Sequence, residues 1–117
     1  MSALSANLDQ QRAKAAALAA NKIDIKEREK YADAAKKSVA RLRTAGLMAT
    51  LVYGENKKGE DAKIAEALSE FLKLGKKPDD AAVALTQSSS HALRLKTIEA
   101  EAFLIWVARF ADAGTPS

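Results

Sequence analysis

Hydrophobic residues recur along this chain at helical spacing almost from end to end, and no stretch alternates as a half-buried strand would. Ser2 or Ser5 can cap a first helix running to about Ala20–Lys22, with Leu4, Leu8, Ala15 and Leu18 on one side. Its Ala13–Ala20 run is low in bulk, so a neighbouring helix can approach closely. Asn21 to Asp24 reads as a break with Asp24 as the next cap, and Ile25–Lys37 as a charged second helix on a thin face of Ile25, Ala32 and Ala35. Its KEREK run reads as a solvated face with i,i+4 pairing. Ser38 resembles a cap opening a third helix over Val39–Tyr53, with Gly46 tolerated inside it for close packing.

The 54–59 segment, with two glycines and a lysine pair, reads as an exposed loop. Ile64, Leu68, Phe71 and Leu72 then give a fourth helix over Glu60–Leu74, stopped by Gly75. Asp79 or Asp80 caps a short helix from Ala81 to about Gln87, and Ser90 caps a long last one. That last helix holds the only Trp and two of the three Phe. Leu95, Ala102, Phe103, Trp106, Val107 and Phe110 form one wide arc, Leu104 and Ala108 flank it, and Arg94, Glu101, Arg109 and Asp112 form a narrow charged strip. A helix apolar over most of its circumference is enclosed by others. The pattern predicts an all-α fold: a single compact bundle of about six helices in one domain over residues 1–117, with a buried C-terminal helix and a frayed tail at 114–117.

Composition agrees: 26 of 117 residues are Ala, the best helix former, against two Pro and five Gly. The absence of Cys excludes disulfides and thiolate metal sites and fits a cytoplasmic location. No signal peptide opens the chain, and no run of 18 apolar residues spans a membrane. Charge changes the picture more. The net charge is +4, yet residues 1–58 carry 12 Lys/Arg against 6 Asp/Glu, and residues 59–117 carry 7 against 9. Such a split suggests a polyanion on one side and a basic or self-complementary protein on the other.

Catalytic chemistry has little to draw on. His91 stands alone, no glycine-rich phosphate loop occurs, and the paired acids are adjacent or two apart, so they do not face each other on a helix. The chain reads as a non-enzyme without metal or cofactor. The candidates for binding are cations: Lys36, Lys37, Arg41 and Arg43, with Lys57 and Lys58 in the loop, and then Lys76 and Lys77. Such side chains give RNA-backbone binding that is sequence-independent and salt-sensitive. Only Tyr31 and Tyr53 could stack bases, and both fit a core equally well.

Two blocks carry a family resemblance. Tyr31 to Tyr53 is similar to a helix ending in basic residues followed by (N)GL-x-x-x-L-x-[FY], matched at Lys36, Lys37, Gly46, Leu47, Leu51 and Tyr53. Thr97 to Ala113 is similar to T-x-E-A-x-x-x-L-x-W-x-x-R-F-A-[ED]-A, matched at Thr97, Glu99, Ala100, Leu104, Trp106, Arg109, Phe110, Ala111 and Ala113. Together they resemble the small α-helical subunit of type III-B CRISPR effector complexes, the Cmr complex, from about residue 8 onward. Ser38 and Ala45 depart from the pattern, which often has Pro and Asn there. The resemblance implies a structural, non-nuclease subunit in antiviral defence. Such subunits stack head to tail beside the backbone subunits, line the channel of the guide RNA–target RNA duplex and leave sequence reading to base pairing. Its partners would be the other Cmr-complex subunits and both RNAs, with self-association an option. The alternative is a helical protein–protein adaptor with no RNA role. A small DNA-binding domain ranks third, since no helix-turn-helix spacing occurs.

Overall fold

The computed structural model describes residues 3–55, 57–75 and 77–113. Among them six α-helices follow one another: α1 (Ala3–Asn21), α2 (Arg28–Ala45), α3 (Leu47–Glu55), α4 (Glu60–Phe71), α5 (Pro78–Thr86) and α6 (Ser90–Ala113). A 3-10 turn, Ile25–Glu27, leads into α2, and Asp24 caps it by accepting the Lys26 N–H. No strand occurs among the described residues. Expectations placed on Ser2, Asn56, Lys76, the side chains of Leu4, Ser5 and Asp79, and the 114–117 tail lie outside the described residues.

Helix α6 is the centre of the bundle, with α1 and α2 against it and α3, α4 and α5 packed together beside them. Its buried face is Ala100, Phe103, Leu104, Val107, Ala108 and Ala111. Relative to the expected arc the helix is turned by about one residue step of ~100°. Leu104 and Ala108, expected on the flank, are buried, while Leu95 is 51% exposed. The reason is alanine. Small side chains let helices approach closely, so Ala100, Ala108 and Ala111 are buried along with Phe103, Leu104 and Val107, and the large rings of Trp106 and Phe110 stay half-buried at the rim.

The same logic turns α1. Ala16 and Ala20 are buried, whereas Leu8 and Leu18, expected on the apolar side, are exposed. Ser38 does not begin a helix: it is buried within α2, which runs unbroken to Ala45. The break falls at Gly46, whose φ of 95° suits glycine and few other residues. There the Gly46 N–H reaches the Leu42 carbonyl, and the Thr50 hydroxyl donates to the Gly46 carbonyl at 2.8 Å.

Gly54 is the glycine that serves close packing. It is buried inside α3, where a methyl group would lie 2.2 Å from that of Ala65 on α4. Helix α4 ends in a turn with Lys73 and Gly75 at positive φ, and Lys96 of α6 donates to the free Leu72 carbonyl at 2.9 Å. Pro78 opens α5 with Lys77 as its N-cap residue. Ser89, one residue before the expected cap, caps α6 by accepting the Ala92 N–H.

Candidate nucleic-acid interface

The cations cluster in sequence between Lys36 and Arg43, yet α2 sends them to two different sides. Lys36 and Arg43 are seven residues apart, hence on one face, and that face meets α6. Lys36 pairs with Asp112 at 2.9 Å, and the Arg43 guanidinium donates to Glu101 at 2.9 Å through Nε. On α1, Arg12 makes a fork-like pair with Glu99, with Nε at 3.0 Å. That hydrogen bond holds the Arg12 pKa above its ordinary value, against a smaller opposing effect of burial. Lys36 is likewise raised, first by its hydrogen bond to Asp112 and then by the charge of Asp112. The basic N-terminal half and the acidic C-terminal half thus neutralise each other along α6.

Lys37 and Arg41, four residues apart, share the other side of α2. The Arg41 guanidinium lies over the Tyr53 ring at 3.3 Å from its centroid, and the Lys57 ammonium stands 5.0 Å from the same ring. Tyr53 is half-buried on α3, so α3 carries the anchor that gathers cations from α2 and from the segment before α4. Lys58 follows Lys57 in the chain and is exposed. None of Lys37, Arg41, Lys57 and Lys58 pairs with a carboxylate among the described residues.

Lys37 and Lys58 also line a groove of about 450 Å³ with Lys30, opposed by Glu27, Asp33, Glu60 and Asp61. Lys37 and Lys58 thus share the groove with acids, whereas Arg41 and Lys57, over the Tyr53 ring, do not line it. Lys30 belongs to this side, and sequence reasoning misses it. Its seven-residue spacing from Lys37 is the available signal, obscured by the KEREK charges around it.

Of the remaining candidates, Lys77 is exposed at the start of α5 and Lys76 lies outside the described residues. Tyr31 is buried in the core; burial first, then the charge of Glu60, raises its pKa well above the ordinary tyrosine value. Since Arg41 covers the Tyr53 ring, this side presents guanidinium and ammonium groups rather than a bare stacking platform. His91 is exposed on the first turn of α6. No group of three His, Cys, Asp or Glu able to hold a metal occurs among the described residues, and no helix there is long and apolar enough to cross a membrane.

Comparison with known proteins adds a family to this geometry. The model of the family described as CRISPR-associated protein (Cas_Cmr5) matches residues 8–114. The crystal structure of a CRISPR-associated Cmr5 family protein from Thermus thermophilus is similar at 25% identity and a TM-score of 0.71, over 93% of this chain and 95% of that one. Among curated proteins, none matches.

Proposed function

The chain belongs to the Cmr5 family of CRISPR-associated proteins, a family of the type III-B Cmr complex, and from that premise we propose that it is a non-catalytic structural subunit gripping guide and target RNA by their phosphates. It stands beside the other protein subunits of the complex and stacks along their backbone. The observation that supports RNA contact is the pair Arg41 and Lys57 over the Tyr53 ring, with Lys37 and Lys58 in the groove nearby; none of the four forms an ion pair among the described residues. The six residues expected as one RNA surface are thereby divided. Lys37, Arg41, Lys57 and Lys58 form the contact, and Lys36 and Arg43 serve the helix seam.

Fluorescence anisotropy with labelled single-stranded and duplex RNAs of unrelated sequence tests the reading. Binding should be weak and indifferent to sequence. It should fall with salt at a log–log slope of about −0.7 per phosphate neutralised on a single strand, so of about −3 for four contacts. An affinity that ignored both salt and the double substitution Lys37→Glu/Arg41→Glu would overturn it and leave the protein–protein adaptor.

A further inference from the structure

We propose that the outer face of α6 is a docking surface for an acidic amphipathic helix of a partner protein. The inference does not depend on the RNA reading. Leu95 and Ile98 are 51% and 54% exposed. With half-buried Ala102 and Ile105 they follow at steps of three, four and three residues, the spacing by which one helix receives another along a seam. The line is about 15 Å long at 1.5 Å per residue, and Ala102 at its middle admits close approach.

Charge selects the occupant. The acids nearest the line, Glu99 and Glu101, and Asp112 beyond it, are each tied to a cation of α1 or α2. Arg94 and Arg109 bracket the line at its two ends; both are exposed and neither pairs with a carboxylate among the described residues. Arg109 instead lies 5.2 Å from the Trp106 ring centroid, held at the edge of the face. The rim is therefore cationic around an apolar centre, which fits a helix with an apolar stripe edged by Glu or Asp.

A second copy of this chain fits poorly. An antiparallel pairing centred on Ala102 sets Arg94 of one chain against Arg109 of the other, and a parallel pairing sets each arginine against itself. Nucleic acid fits poorly too, since the centre of the face is aliphatic and Trp106 is engaged by stacking on Phe110 and by donating to Asp9 at 3.2 Å.

The test uses the full chain and two synthetic helical peptides of about three heptads. Both carry Leu at the core positions; one has Glu and the other Lys at the flanking positions. Calorimetry should find the Glu peptide bound at least about tenfold more tightly. Arg94→Glu/Arg109→Glu should invert that preference. Leu95→Asp/Ile98→Asp should abolish binding of both peptides while the melting curve stays unchanged, because both side chains face solvent. Equal binding of the two peptides, or binding that survives Leu95→Asp/Ile98→Asp, overturns the proposal. So does self-association in sedimentation that Leu95→Asp/Ile98→Asp removes, which would make the occupant a second copy. Loss of RNA affinity in Arg94→Glu/Arg109→Glu would make it nucleic acid, and overturns the proposal equally.

Discussion

Two sides of α2 carry the same kinds of side chain and do opposite things with them. Lys36 and Arg43 face α6 and are consumed by Asp112 and Glu101; Lys37 and Arg41 face away and, with Lys57 and Lys58, keep their charge for something else. One residue of offset is ~100° of rotation, so neighbours in sequence become members of different surfaces. A basic cluster on a helix is therefore to be counted by face. The largest expected effect tests this division directly. Lys37→Glu/Arg41→Glu/Lys57→Glu/Lys58→Glu should lower RNA affinity about a hundredfold or more at low salt, with an unchanged fold by circular dichroism. Lys36→Glu/Arg43→Glu should change affinity by less than about threefold, but should lower the thermal midpoint by a few degrees, since like charges then meet across the seam. Equal RNA losses in the two variants would erase the distinction.

The second prediction leaves every charge in place and moves the scaffold beneath the free stripe. Gly54→Ala forces the Ala65 methyl aside where α3 crosses α4, the two helices flanking Lys57 and Lys58. Overpacking of this kind costs about 1–3 kcal/mol, measurable as a lower denaturation midpoint. Gly46→Ala should also destabilise, by backbone strain alone, because nothing lies within 4 Å of a methyl there. A larger residue at Gly54, such as Val, should worsen the first effect steeply. At Gly46 the step from Ala to Ser should matter little.

These two glycines also mark how far the sequence is legible. Element type is readable throughout, because alanine content and 3.6-residue spacing both point to helix. Faces are less readable. A search for large apolar residues puts Leu8, Leu18 and Leu95 inside, yet Ala16, Ala20 and Ala108 are what the core selects, since close approach rewards small side chains. Gly46 reads in sequence as a close-packing glycine and Gly54 as part of a loop. Each does the other's work, because φ and a neighbour 2.2 Å away are properties of the folded chain. The cations can be picked out one by one from the sequence, but their division needs the positions of Asp112 and Glu101, far along the chain.

The third prediction uses pH to separate the core side of α2 from its seam. Tyr31 and Lys36 both have raised pKa values, for opposite reasons: burial favours the neutral phenol, whereas Asp112 favours the charged ammonium. Both give stability that is complete below the unfolded-state value and lost as pH rises toward the folded one. Above about pH 10 the unfolded chain releases the Tyr31 proton while the fold retains it. Stability from this group should then fall by about 1.4 kcal/mol in total, read from urea midpoints between about pH 9 and 11. Tyr31→Phe should flatten that fall. Lys36→Gln should change it far less, because its pair is solvent-exposed and screened.

The smallest effect is also the sharpest test of what the seam is for. A double-mutant cycle with Arg43→Gln and Glu101→Gln should give a coupling of only about 0.3–1 kcal/mol, since both side chains reach solvent and Arg43 is the more exposed. If the seam serves mainly to withdraw cations from the RNA surface, the two losses should be uneven. Arg43→Gln should leave RNA binding nearly unchanged, because that guanidinium was already neutralised. Glu101→Gln, by releasing it, should strengthen RNA binding about twofold at low salt, and Glu101→Gln/Asp112→Asn should strengthen it further by freeing Lys36 as well. Were binding to stay flat in both, the released cations would lie too far from the Arg41–Lys57 stripe to share a strand with it. The two sides of α2 would then be separated by geometry rather than by pairing.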